Sequence, residues 1–378
     1  MKIVFVSNFI NHHQVPLADA LYAEKGIEYY FIARKPLPDE FARSGYADFS
    51  DKPYLIKAYE SNESMVNARN LIDNAEVVII GAAPDEWVVN RLNENKVTFH
   101  YSERWFKTGY KSLLSPRAWL YWIKNHIRFR NKRSYMLCAS AFTSSDVNKI
   151  FAYPNKCFKW GYFTKVTSFD IEKNLEASQD VSKLKILYVS RFLIWKHPEM
   201  PVELAKVLKA KGYNFEINMY GTGPELDRIR NLIQELDVQD CVNLKGNLPN
   251  DEILKEMRNH HIFLFPSDRN EGWGAVVNEA MSNGCVVVGG GKIGCVPFLI
   301  NHSKNGLIFK DQDQADLNDK VIYLLEHPEE RIQMSREAYR TMHEIWSPEN
   351  AAKRFIKLAK SALEGNIIAE EQGPCSKA

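Results

Sequence analysis

The amino-acid sequence predicts two doubly wound α/β domains in tandem, each a parallel sheet flanked by helices. Three observations carry this prediction. Short apolar runs alternate with helical patterns along nearly the whole chain. The runs are too continuously apolar for a sheet with one wet face, so they suit strands covered on both sides. A polar gap at residues 164–183 (TKVTSFDIEKNLEASQDVSK) interrupts the alternation, which then restarts. The length of 378 residues fits two domains at roughly 100–200 residues each.

In the first half the predicted strands are Lys2–Ser7, Ile27–Ala33, a weaker Tyr54–Ala58, Ala75–Gly81, Lys96–Tyr101 and Tyr135–Ala139. The opening MKIVFVSNF has one Lys and an apolar run that stops at Asn8. It is too short for a signal peptide and suits a buried first strand. Helices are predicted at Val15–Glu24, Ser64–Asp73, Pro84–Asn93 and Pro116–Asn131. The gap at 164–183 reads as a linker, which gives domains over 1–165 and 166–346. Beyond it the predicted strands are Lys185–Ser190, Phe215–Tyr220, Val242–Leu244, Ile262–Phe265, Cys285–Gly289 and Leu307–Phe309, with helices between them. Ser347 and Pro348 supply an N-cap and a first-turn residue for a last helix at about 347–364, expected to pack back on the first domain. Residues 366–378 read as a flexible tail. Sheets of this kind bind ligands beyond the carboxyl ends of their strands, so two of them on one linker are expected to face across a cleft.

Composition excludes several classes. With 45% hydrophobic and 25% charged residues the chain is neither collagen-like nor disordered. The longest apolar runs, such as AEVVIIGAA at 75–83, fall far short of the about 20 residues of a membrane span. A net charge of +2 does not suggest a general nucleic-acid binder. The six Cys form no CxxC pair and stand near no His at finger spacing, which argues for buried thiols in a reducing cytoplasm. GGGK at Gly289–Lys292 is not a phosphate loop of the Walker type, because Ile293 stands where Ser or Thr belongs. No GxGxxG follows the first strand, so a dinucleotide oxidoreductase is not expected.

Charge is uneven. Residues 1–170 hold 23 basic and 17 acidic residues, net +6, and the remainder holds 26 and 30, net −4. The excess lies in 104–133, with nine basic residues, no acidic one and seven interleaved aromatics. Two readings stand for this stretch. In one, Trp119, Trp122, Ile123 and Ile127 pack on the sheet while Lys and Arg are solvated. In the other, it lies on an anionic bilayer or binds a lipid-diphosphate acceptor.

The strongest chemical signal is DRNEGWGAVVNE, Asp268–Glu279, directly after the strand pattern HIFLFPS and opening a helix. Gly272 and Gly274 let backbone approach a ligand, and the helix start beyond them offers free N–H groups and a positive dipole end to a diphosphate. Glu271 lies in the loop and Glu279 about two turns along the helix, placed to accept hydrogen bonds from sugar and ribose hydroxyls. Two acids near a helix start also serve as caps. Context favours the ligand reading. Arg191 and Lys196 follow the strand ending LYVS, and two cations there suit two phosphates. GTGPEL (Gly221–Leu226) ends the next strand, and KGNLPNDE (Lys245–Glu252) offers backbone groups to a base edge.

With SRFLIWK, YGTGPEL, LKGNLPNDE, FPSDRNEGWGAVVNEAMSNGCVVV and GGKIGCVPFLINHSKNGLIF in this order, the sequence resembles the retaining nucleotide-sugar glycosyltransferases of family 4, whose fold is GT-B. The resemblance covers roughly Lys183–Leu325. In the first half VSNFINHHQVPLADAL, HYSERWFK and CFKWGYF are subfamily-like. The resemblance implies catalytic roles for Arg191, Lys196 and Glu271, the two cations contacting the donor diphosphate and Glu271 the transferred sugar. It implies donor contacts at Gly221, Gly223, Asn247, Leu248, Gly272, Trp273, Gly274, Ala275, Glu279 and Gly294. It also implies metal-independent transfer without a cofactor, from a UDP- or GDP-sugar to a glycan or lipid-linked acceptor, in bacterial surface polysaccharide synthesis. The expected location is the cytoplasm, peripheral to the inner face of the membrane. The alternatives on the same fold are a nucleotide-sugar epimerase and a non-catalytic nucleotide-sugar-binding protein.

The sequence departs from the family after the first strand, where a Gly-Gly turn is replaced by Asn8–His13. His12 and His13 there, with His100 and Glu103 after another strand, are acceptor-side candidates. His12 and His13 read equally as a polar loop, and Glu103 as an ion-pair partner of Arg104 or Lys107.

Overall fold

The structure, a computed structural model, describes residues 1–38, 49–177 and 183–378. The chain divides into two compact units, Met1–Lys165 with Trp346–Ala378, and Val166–Ile345.

The first unit is built on a seven-stranded parallel sheet. Its strands are β1 (Lys2–Ser7), β2 (Glu28–Ala33), β3 (Leu55–Lys57), β4 (Val77–Ile80), β5 (Val97–Ser102), β6 (Ser134–Cys138) and β7 (Cys157–Lys159). The spatial order is β3-β2-β1-β4-β5-β6-β7. β1 pairs with β2 from Lys2 opposite Glu28 and with β4 from Ile3 opposite Val77. Ile3, Val4, Val6, Val77, Val78 and Ile79 are wholly buried, as expected of strands covered on both faces. The strand order reverses at the β1–β4 junction, so the crevice beyond Ser7 and Ile80 is the position where such sheets bind ligands.

The helix Pro348–Glu364 returns to this unit. Ser347 caps it by accepting from the Asn350 N–H, Pro348 fills the first turn, and Gly365 ends it with φ of 80°. Phe355 is fully buried, edge-on to Phe99 at 5.2 Å between ring centroids. The segment after it does not fray. Lys159 donates its backbone N–H to Ser376 and accepts from Cys375, Ala378 donates to Cys157, and the Cys375 side chain is fully buried. The expected tail is thus a cover for the exposed edge of β7, a strand that the sequence reading did not assign.

The second unit holds a six-stranded parallel sheet of β8 (Leu184–Val189), β9 (Phe215–Tyr220), β10 (Val242–Gly246), β11 (Ile262–Phe265), β12 (Val286–Gly290) and β13 (Gly306–Phe309), in the order β10-β9-β8-β11-β12-β13. Its core joins Ile186, Tyr188, Ile217, Leu264, Val286 and Val288 to Leu204, Leu208 and Leu317 of the covering helices. Here the order reverses between β8 and β11.

Three expected segments differ. Within the predicted linker 164–183, Ile171–Ala177 is helical and Leu175 is buried, while residues 178–182 lie outside the described residues. The predicted helix Pro84–Asn93 is a single 3-10 turn, Asp85–Trp87, followed by a short helix, Val89–Asn93. The predicted helix Pro116–Asn131 ends at Asn125, because His126 takes φ of −130° and ψ of −57° before a 3-10 turn at Ile127–Phe129. All six cysteines are buried and unpaired. Among the described residues no helix is long and apolar enough to cross a membrane.

Candidate functional site

The loops after β8 and β11 flank the reversal point of the second sheet, and they carry the predicted charges. Lys196 ends a 3-10 turn, Ile194–Lys196, and its ammonium forms an ion pair with the Glu271 carboxylate. Both side chains are mostly buried, at 17% and 14% exposure. The two loops are also tied through backbone, since Asp268 donates its N–H to the Trp195 carbonyl at 2.9 Å. Arg191 lies exposed at the start of the same loop.

Glycine lets the loop after β11 fold back over the end of its own strand. Gly274 has φ of 97°, and a Cβ on it would stand 2.7 Å from the Phe265 ring. The helix Ala275–Ser282 starts directly after it. Glu279 therefore sits one turn into the helix rather than two. Its carboxyl is buried, and burial pushes it up to about 7, with a hydrogen bond from the Asn250 side chain acting in the opposite direction. The Trp273 indole is turned into the core and donates to Asn278 Oδ1 at 2.9 Å, which leaves its backbone for a ligand. Gly294 is buried, and the next residue, Cys295, donates its N–H to the Trp273 carbonyl. That bond braces the loop which precedes the helix.

Gly221 and Gly223 follow β9 and interlock with the loop after β8. Phe192 donates its N–H to the Thr222 carbonyl at 2.9 Å, and Gly221 donates to Gly246 at 2.8 Å. Asn247 is exposed and donates to Thr222 Oγ1 at 3.2 Å, with Leu248 half-buried beside it. Sequence reasoning missed His197. It takes the left-handed conformation, φ 48°, and its Nδ1 lies 2.8 Å from Glu199 Oε1. The hydrogen bond to Glu199 raises its pKa, against the effect of burial. Its Nε2 stands 3.7 Å from Asp268 Oδ2.

In the first unit two cavities of about 410 and 420 Å³ lie at the carboxyl ends of β1, β4 and β5, and both are lined by Gly81, Tyr101 and Ser102. The larger adds Ser7, Asn8, His13, Glu103 and Tyr162. His12 and His13 lie with ring centroids 3.8 Å apart, and His13 stacks on Tyr162 at 5.7 Å. Burial, then the neighbouring His12, pushes His13 down to about 3, so it is neutral at physiological pH. Glu103 accepts from Tyr162 Oη at 2.7 Å and pairs with Lys107. Arg104 lies instead 3.7 Å from Asp146. His100 is not grouped with Glu103. It is buried against Asp85, with His126 and Tyr121 on the same carboxylate, and lines the second cavity. Asp85, His126 and Tyr121 were not singled out in the sequence, because each looked like an ordinary helix position.

The basic stretch 104–133 divides in two. Trp122, Phe106 and Phe129 are buried. Tyr110, Leu114, Leu120, Tyr121 and Ile123 are exposed, Leu114 at 86% and Leu120 at 68%. Ile123 thus does not pack on the sheet. Lys111, Arg117, Lys124, Arg128 and Arg130 are exposed in the same stretch.

Residues 170–341 match the family described as glycosyl transferases group 1. The chain is 33% identical over 139 residues to the amylovoran biosynthesis glycosyltransferase AmsK of Erwinia amylovora, which covers 35% of this chain and 34% of that protein. The chain therefore spans about a third of that relative's length. Among solved structures, a glycosyltransferase from Rickettsia africae superposes with a TM-score of 0.67 over 97% of this chain and 99% of that one, at 16% identity. HepE of Anabaena in complex with UDP gives a TM-score of 0.67 over 96% and 100%, at 12% identity. These likenesses show the fold, two Rossmann-like domains of the GT-B type.

Proposed function

We propose that the chain is a retaining glycosyltransferase that moves a hexose-type sugar from a UDP- or GDP-sugar to a glycan or lipid-linked acceptor, in the synthesis of a surface polysaccharide. One observation carries the reading most: Lys196 and Glu271 meet at the reversal point of a parallel sheet, beside a helix N-terminus opened by Gly272 and Gly274. A cation and an anion held together at such a point match the two ends of a nucleotide-sugar. Lys196 and Arg191 face the diphosphate, and Glu271 accepts from the sugar hydroxyls. The backbone of Gly272–Ala275 adds N–H groups toward the phosphates. Charge that develops on the departing diphosphate is stabilised by these fixed groups without a metal ion at that position. The match of residues 170–341 and the similarity to AmsK support the class of reaction and its polysaccharide setting. The first-unit cavities, with His13, Tyr162 and Glu103, take the acceptor.

Thermal shift against UDP, GDP, ADP and their sugars tests the donor assignment. A ligand at 100 times its dissociation constant adds about 2.7 kcal/mol of stability. The expected result is stabilisation by one uridine or guanosine diphosphate and its sugar. No shift with any of them contradicts the reading.

The same measurement has a pH signature. Ribose hydroxyls donate to the ionised Glu279 carboxyl, which in the free protein titrates at about 7. Donor affinity rises from pH 6 to pH 8 with release of a proton, and Glu279→Gln flattens the profile. For stability the sign is opposite. A carboxyl raised from 4.5 to about 7 costs nothing below pH 4.5 and destabilises the free fold progressively as pH climbs to 7.

The exposed apolar and basic residues of 104–133 complete the proposal as a seat on an anionic bilayer, with Leu114 and Leu120 inserted and each surface-proximal cation adding about 1 kcal/mol. Neutralising Lys124, Arg128 and Arg130 together weakens sedimentation with phosphatidylserine vesicles at low salt by tenfold or more. Arg133 is left in place because it donates to the Leu363 carbonyl. Equal sedimentation of the triple variant removes the membrane assignment.

A further inference from the structure

We propose that Asp85, His100 and His126 form a binding site for a divalent transition metal ion of the zinc class, facing the cavity of about 410 Å³ in the first unit. The three residues come from separate elements that the sheet brings to one edge. Asp85 opens the turn after β4, His100 lies within β5, and His126 ends the helix Pro116–Asn125. One ligand atom from each lies within 4.8 Å of the others.

The distances are those of ligands around an ion rather than of hydrogen bonds. His100 Nδ1 stands 3.6 Å from Asp85 Oδ1, and His126 Nε2 stands 3.4 Å from Asp85 Oδ2. A hydrogen bond between such atoms spans about 2.7–3.2 Å. Two ligands on one tetrahedral zinc, at bonds of about 2.0–2.1 Å, stand about 3.3 Å apart. A carboxylate that only accepted hydrogen bonds from these rings would draw them closer. Its neighbours do approach: Tyr121 Oη hydrogen-bonds to Asp85 Oδ2, and Tyr153 Oη lies 2.8 Å from His126 Nδ1. Those two contacts leave His126 Nε2 aimed at the centre and hold the carboxylate in place, as outer partners of metal ligands do.

Burial adds a second observation. The His100 and His126 side chains are 5% and 4% exposed and Asp85 12%, so water competes little for the three donors. Two imidazole nitrogens and one carboxylate oxygen are a donor set for Zn²⁺, Fe²⁺ or Co²⁺ rather than for Mg²⁺ or Ca²⁺. Three protein ligands leave a coordination position for an oxygen ligand, as in sites that act on a bound molecule. Trp105, Ser112 and Tyr121 line the cavity beside it. The ion would thus hold a hydroxyl or phosphate oxygen of a molecule entering that cavity. It lies in the first unit, whereas the donor residues proposed above lie in the second, so its presence is independent of that assignment.

Cobalt titration tests the proposal without an activity assay. The full chain is stripped with a chelator and titrated with Co²⁺, and its visible ligand-field bands are followed. Saturation at one equivalent is expected, with displacement of the bands by Zn²⁺. His100→Gln and His126→Gln should each weaken uptake tenfold or more while melting close to the parent protein. Should either fail to fold, Tyr153→Phe removes only the hydroxyl behind His126, and a loss of affinity of about tenfold is expected. The absence of cobalt bands in the parent protein would overturn the site, as would unchanged affinity in the folded variants.

Discussion

Lys196→Ala leaves the two units folded and lowers sugar transfer by at least ~100-fold, the scale of losing one oriented electrostatic partner in a site. The loss falls on kcat rather than KM, because in the proposed reaction the ammonium matters most when charge gathers on the leaving diphosphate. Glu271→Ala loses transfer on the same scale, by freeing the sugar from its anchor. Either change also leaves the other member of a mostly buried ion pair without its partner, which at full burial costs about 3–5 kcal/mol. The two effects are separable. Lys196→Met combined with Glu271→Gln removes both charges at similar volume, so the melting temperature recovers toward that of the parent. Transfer stays lost in the double variant if the pair does chemistry. Transfer that returns along with stability would show that the pair only holds the loops.

Much of this arrangement is legible in the sequence, and the reason is local. The residues proposed to bind a donor occupy one continuous strand–loop–helix segment, Ile262–Ser282, and one loop after β8. Their spacing survives folding because each element is fixed by nearby residues. Strands such as β1 and β4 were readable because burial on both faces leaves an uninterrupted apolar run. β7 was not, since it is three residues long and its outer edge is satisfied by Cys375–Ala378, more than 200 residues away. The amphipathic pattern of Pro116–Asn131 continues past the point where the helix stops. His126 leaves the helix and meets Tyr153 and Asp85, and tertiary contacts there override local propensity. The Asp85–His100–His126 group is invisible to spacing for the same reason, as its members lie on three elements that only the sheet order brings together. Exposure was misjudged too. Ile123 has the spacing of a core residue beside Trp119 and Trp122, yet it faces water.

Gly221→Ala should unfold the second unit at a temperature about 10 °C below the parent, while Gly246→Ala costs about 3 °C. Both glycines have positive φ, 130° and 71°, so alanine is strained at either, and more at 130°, which lies outside the left-handed helical well. Surroundings widen the difference. A Cβ on Gly221 would stand 1.9 Å from the Ser190 carbonyl oxygen, while one on Gly246 meets nothing within 4 Å. The contact at Gly221 is with backbone, which cannot rotate away as a side chain does. Relief would require the loop after β8 to retreat, breaking the bond from Phe192 N–H to the Thr222 carbonyl. Overpacking of about 1–3 kcal/mol then adds to strain of the same order. The same retreat carries Arg191 and Lys196 with it. Gly221→Ala therefore loses the proposed nucleotide binding even below its melting temperature, while Gly246→Ala keeps it. A Gly221→Ala protein that melts and binds like the parent would mean that the β8 and β9 loops do not interlock, and the placement of both cations would fall with them.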